Sequence, residues 1–152
     1  MKKTNPAKTY LMRYRAAKSR AAALETAIRE AYDAATNTTV PLKEICVQTS
    51  GGGEATANAV IRMVDAKALL SEMRAESLRD LTEISIAIGT VKDPTQQTVL
   101  IEKYINGRSL DEIKSLIGYE IRNTQIIHGR ALWSVKQYLE RKGLLKEEGG
   151  GD

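Results

Sequence analysis

Between Lys8 and Ala35 apolar residues return every seven positions: Tyr10, Ala17, Leu24 and Ala31 form one set, and Tyr14, Ala21, Ile28 and Ala35 a second set four positions later. Together they draw one apolar seam along a single long helix. Arg13, Arg15, Lys18, Arg20, Glu25 and Arg29 fall off the seam and keep the opposite side wet. Such a seam needs a partner helix, from this chain or from a second copy. Tyr10, Tyr14, Ala17, Ala21, Leu24 and Ile28 are the residues expected to meet it.

A second long pattern supplies one candidate. From about Glu54 to Ile88, Met63, Leu70, Leu81, Ile84 and Ile88 recur at helical spacing, with Ala66, Met73 and Ser77 in the same stripe. Between the two, "TNTTVPLKEICVQTSGGG" (Thr36 to Gly53) carries four threonines, a proline and three consecutive glycines, the composition of a loop. Two helices too long for a small globule, joined by such a loop, predict an antiparallel hairpin that leans on itself or on a second protomer.

With 152 residues, 42% of them apolar, the chain supports one domain or a compact domain plus an extended element. The formal charge is +4, and it is unevenly spread. Residues 1–35 hold eight Lys/Arg against three Asp/Glu and residues 94–142 hold eight against five, whereas residues 36–93 hold six against eight. Basic ends favour an anionic partner such as nucleic acid. A single cysteine, Cys46, and a single histidine, His128, leave neither an intrachain disulfide framework nor an ordinary Cys/His zinc site. No apolar run approaches the roughly 20 residues needed to cross a bilayer, and the basic start "MKKTNPAKTYLMRYRAAKSR" is no signal peptide. The expectation is a cytoplasmic protein with no membrane partner and no cofactor.

The C-terminal third reads as a series of capped short helices. In "DPTQ", Asp93 can cap, Pro94 suits the first helical position and Gln96 completes a capping box; Val99, Leu100, Tyr104 and Ile105 give the helix its apolar face, and Asn106-Gly107 stops it. "SLDE" is a second capping box, Ser109 with Glu112, followed by an inward face of Leu110, Ile113, Leu116 and Ile117 and a turn at Gly118. A last helix from about Glu120 places Thr124, Ile127, His128, Ala131 and Val135 on one side and Arg122, Gln125, Ile126, Gly129 and Trp133 nearer the other. The fold class is therefore all-α: a long, coiled-coil-like helical hairpin over 1–92, a helix-turn-helix unit over 93–142 and a fraying tail over 143–152.

Two amphipathic helices at a glycine corner describe a DNA-reading unit and a plain core pair equally well. Residue type separates them. Arg122, Asn123 and Gln125 stand in the first turns of the second helix, where a recognition helix meets base edges, and have bidentate base-reading geometry; Ile126 can contact a thymine methyl. Arg108, Lys114, Arg130 and Lys136 are candidates for phosphate contacts, which position without specifying sequence.

Through "YINGRSLDEI", the "IGY" corner and "HGRAL", the stretch "LIEKYINGRSLDEIKSLIGYEIRNTQIIHGRALWSV" resembles region four of the sigma-seventy class of RNA polymerase sigma factors. More closely, it is similar to phage-encoded sigma-like proteins of the ArpU and RinA late-transcription-regulator type. Their order of parts is also matched: a long helical N-terminal portion, here beginning "YLMRYRAAKSR", precedes the sigma-like unit. The likeness is strongest over Gln97 to Tyr138. It implies an all-helical fold, a role in transcription of phage or prophage genes in a bacterial host, double-stranded DNA as partner, RNA polymerase as a second partner and a homodimer through the long helices. By position it also implies that Arg122, Asn123, Gln125, Ile126 and Arg130 face DNA while Tyr119, Thr124, Ile127 and Leu132 hold the corner. Glu120 departs from the family pattern, standing where related proteins usually carry a capping serine.

Other features read more plainly. His128 has no Cys or carboxylate constellation around it and is expected to pack or to touch a phosphate. "SGGGE" precedes a helix but lacks the "GK[ST]" of a phosphate loop. Lys2 to Arg20 holds seven basic residues and no acid, which suits a solvated helix face or a second DNA surface. Trp133 and Tyr138 are expected in packing or partner contact. No nucleophile with its base and no paired carboxylates emerge, so no enzyme is expected. Two other functions fit the same features: a small terminase-like packaging oligomer, and a polymerase-docking adaptor that never touches DNA.

Overall fold

The computed structural model describes residues 3–37 and 52–145, and the regular elements among them are helical. In order they are α1 (Pro6–Asn37), α2 (Gly52–Gly89), α3 (Pro94–Leu100), a π-helical turn (Ile101–Ile105), α4 (Leu110–Ile117) and α5 (Ile121–Arg141). Residues 38–51 of the expected loop, with Cys46 and the start of "SGGGE", and the tail from residue 146 lie outside the described residues.

The chain divides into two compact units, and the divisions fall inside the long helices. One unit is Ala17–Glu76; the other joins Met1–Ala16 to Ser77–Asp152. In the first, α1 and α2 run antiparallel, as the ion pairs Arg20–Glu76 (3.6 Å) and Glu25–Arg74 (2.9 Å) require. Ala17, Ala21 and Leu70 are buried and Leu24, Ile28, Met63, Ala66 and Met73 half-buried. Ile28 and Leu70 line one open cleft between the helices. The seam residues of this unit thus meet a helix of their own chain.

The second unit holds the main core. Ala7, Leu11 and Tyr14 from α1 and Ile84, Ala87 and Ile88 from α2 pack in one cluster with Val91, Leu100, Tyr104, Ala131, Leu132, Val135 and Leu139. Tyr10, Leu81, Ile105 and Tyr138 lean against it. Arg13 lies over the Tyr10 ring at 4.2 Å and ties α1 to α2 through Glu83 (2.7 Å) and Asp80 (3.9 Å). This core passes straight across the point between residues 92 and 93 where the sequence suggests a boundary. The break in helical pattern there is only a corner, because the apolar ends of both long helices are buried on the far side of it.

Local chemistry sets that corner. Asp93 Oδ1 accepts from the amides of Thr95 (2.8 Å) and Gln96 (3.3 Å), and Pro94 opens α3. The side chain that reaches back is Gln97 rather than the expected Gln96: its Nε2 donates to the Val91 carbonyl at 2.6 Å. The helix then widens into the π-turn, closed by Asn106 N donating to Ile101 O at 3.0 Å, and nothing in the sequence marks it. Gly107 ends it with φ +76°, and the Arg15 guanidinium lies where a Cβ on Gly107 would stand.

Candidate nucleic-acid interface

Helix α4 begins with both halves of its capping box: Ser109 Oγ accepts from Glu112 N (3.3 Å), and Glu112 Oε2 accepts from Ser109 N (2.9 Å). It ends at Gly118, φ +75°, whose amide and that of Tyr119 both donate to the Lys114 carbonyl (2.9 and 3.2 Å). Helix α5 starts three residues later with Glu120 in the cap position and no side-chain bond to the first turn. Thr124 is fully buried, its hydroxyl donating to the Glu120 carbonyl at 3.0 Å. With Ala131, Leu132, Val135 and Leu139 it turns one face of α5 inward against α3 and α4.

Two corner residues depart from expectation. Tyr119 is 47% exposed and Leu116 54% exposed, so neither holds the corner from inside. The two backbone bonds to Lys114 close the turn, and the buried residues on either side of it are Ile113 and Thr124.

The outer face of α5 carries Arg122, Gln125, Ile126, Gly129 and Trp133, with Asn123 and Arg130 along its border; all seven are exposed. Arg122 and Arg130 form no ion pair with any described residue. The other three candidate phosphate contacts have carboxylates at hand: Arg108 with Glu102 (2.8 Å), Lys114 with Asp111 (3.4 Å) and Lys136 with Glu140 (3.8 Å). Of these five candidate contacts, the two without an internal carboxylate, Arg122 and Arg130, therefore both stand on the first half of α5, beside amide and apolar side chains at helical spacing. Trp133, 64% exposed, extends that face and is not a core residue.

His128 sits on the flank. Its Nε2 is 2.8 Å from the Tyr104 hydroxyl and the two rings stack at 5.8 Å, a pairing invisible in the sequence because 24 residues and a corner separate the partners. Burial, and then the charges of Lys103 and Lys8, lower the His128 pKa to about 4, while burial pushes the Tyr104 phenol up. The bond thus joins a protonated phenol to a neutral imidazole. Because the folded-state value lies below the ordinary 6.5, the unfolded chain binds more protons between about pH 6.5 and 4. His128 is expected to support stability fully above pH 6.5 and to lose on the order of 1 kcal/mol by pH 5, after allowance for solvent screening. Thermal unfolding of wild type and His128→Gln at pH 7 and pH 5 checks this: the variant should lose that part of the pH dependence.

Among the described residues there is no cluster of His, Cys, Asp or Glu able to hold a metal ion, and no helix long and apolar enough to cross a membrane. Comparison with protein-family models, curated proteins and solved structures returns no match to this chain.

Proposed function

We propose that this chain is a DNA-binding transcriptional regulator in which α4 and α5 form a helix-turn-helix and α5 reads duplex DNA in the major groove. The observation that carries this reading is the outer face of α5, where unpaired Arg122 and Arg130 frame Asn123, Gln125 and Ile126 while the opposite face is locked in the core. The sequence resemblance to phage sigma-like regulators supports the same role and adds RNA polymerase as a partner. The test is selection of bound duplexes from a random-sequence pool by the full chain, followed by affinity for the selected and a scrambled duplex across a salt series. Sequence preference sustains the proposal; equal, weak binding to both removes base reading from it.

Gly129 supports this reading from stability. It lies inside a helix, its Cβ position is open space, and a glycine there costs about 1 kcal/mol relative to alanine. Packing within the chain gives no reason for it, whereas a partner's backbone pressed against α5 does. Gly129→Ala is expected to raise the unfolding free energy by about 0.5–1 kcal/mol and to weaken DNA binding. Denaturant melts and titrations on the same sample measure both.

Homodimerisation belongs to the same proposal. The α1 seam meets α2, so the surface for a second copy is the outer side of α2, where Ala57, Ile61, Val64, Ala68 and Ala75 are all exposed. Their spacing, with Ser71 between, alternates four and three as a coiled-coil seam does, and a neutral apolar seam complements its own copy. Ile61→Glu with Val64→Glu is expected to convert a dimer to a monomer in sedimentation. A ring of many copies in wild type would instead favour the packaging role.

A further inference from the structure

The core fixes the first turns of α1 through Ala7, Leu11 and Tyr14, so the backbone that carries the residues beside them has a defined place. Lys8 is exposed on α1 and Lys103 half-buried on the π-turn; their chain neighbours Ala7 and Tyr104 belong to one buried cluster, and the charges of both lysines act on His128. One heptad further along the same side of α1, the Arg15 guanidinium rests on Gly107, next to Arg108. Neither Lys8 nor Lys103 has an ion-pair partner among the described residues, and the charges that act on Lys103 and His128 are cationic. Lys103 is held below its ordinary pKa by burial and by Lys8. Two like charges brought together without a carboxylate cost folding energy, and an anion that sits between them reverses the sign of that cost.

The position of this pair matters as much as its charge. On α5, His128 is three residues beyond Gln125, one step round the helix from the outer face. Lys103 adjoins Tyr104, whose hydroxyl meets His128, so the basic pair stands toward the Gln125 edge of that face, while Arg130 stands toward the opposite edge. A helix lying in a major groove has a phosphate strand along each side.

We propose that the beginning of α1 is part of the DNA interface: Lys8 and Lys103, extended by Arg15, clamp the phosphodiester strand that runs along the Gln125 side of α5. This rests on the DNA-binding reading above, and it assigns to the N-terminal helix a contact made without base specificity. The ligand chemistry is a run of phosphodiesters.

The test is the salt dependence of binding by the full chain to the selected duplex and to a mixed-sequence duplex of about 30 base pairs, between about 50 and 200 mM salt. Lys8→Gln/Lys103→Gln is compared with wild type and with Lys8→Arg/Lys103→Arg, after matching melting curves show that all three are folded. Each phosphate neutralised contributes about 0.9 to the slope of log affinity against log salt, so the glutamine variant is expected to be shallower by about 1 to 2 on both duplexes. Its ratio of affinities for the two duplexes should stay unchanged, and the arginine variant should keep the wild-type slope. An unchanged slope in the glutamine variant, with wild type binding DNA, overturns the clamp and leaves the α5 reading standing. Absence of DNA binding by wild type overturns both.

Discussion

Replacing Arg122 and Gln125 together by alanine is expected to abolish preference for the selected duplex while sparing binding to mixed-sequence DNA. Both side chains are exposed and neither contributes to the core, so helicity and melting temperature should match wild type. A good bidentate side chain to base contact discriminates by about 1–3 kcal/mol, so losing two corresponds to about a thirtyfold or greater fall in specificity. The salt slope should lose only about 1, from Arg122. Lys136→Ala is the contrasting control: it removes a charge further along α5 and should weaken binding evenly across sequences. If the double variant keeps its preference, base reading does not reside on α5. If neither wild type nor variant binds DNA, the α5 face becomes a protein-docking surface, the adaptor reading, in which an uncapped, acidic Glu120 beside that face is no handicap.

The second large effect is expected far from that face in sequence. Leu11→Ala should destabilise the unit that contains α3, α4 and α5 by about 2–5 kcal/mol, the range for a fully buried leucine replaced without collapse of the site. Leu11 is fully buried against residues from Ile84 to Leu139, so the cavity opens in the shared core. Fluorescence of Trp133, the only tryptophan and a residue of α5, reports that unit during denaturant unfolding. A transition by Trp133 unmoved by Leu11→Ala would mean that the C-terminal helices are stable without α1. By contrast, Met12→Ala, one residue on but half exposed, should change stability by less than about 1 kcal/mol.

What the sequence made legible follows from how local each signal is. The capping box at Ser109, the cap at Asp93, the left-handed turn at Gly118 and the inward stripe of α5 are set by residues within one or two turns, and each stands where the pattern puts it. Long-range facts were hidden. The Tyr104–His128 bond and the Arg15 contact on Gly107 depend on which distant segments meet. The π-turn was hidden too, since Ile101 to Ile105 reads as ordinary amphipathic helix. Tyr119 and Leu116 show a different limit: hydrophobic spacing says which side chains can turn inward, while the tertiary packing around the corner decides which do, and these two stay exposed. Of the outer face of α5, residue types and register were legible, and the freedom of Arg122 and Arg130 from internal carboxylates was not.

Because the divisions between the two units fall at Ala16–Ala17 and Glu76–Ser77, inside α1 and α2, the segment 17–76 has the connectivity of an insertion: the chain leaves one core, makes an excursion and returns to it. Such an excursion can change length over evolutionary time by removing or adding heptads in matched pairs, one from each helix, since every seven residues restore the seam to register. Loss from one strand of the pair alone would break that register. Homologous chains should therefore differ in the length of this segment by correlated steps, while the spacing from Ser77 onward stays fixed by the core.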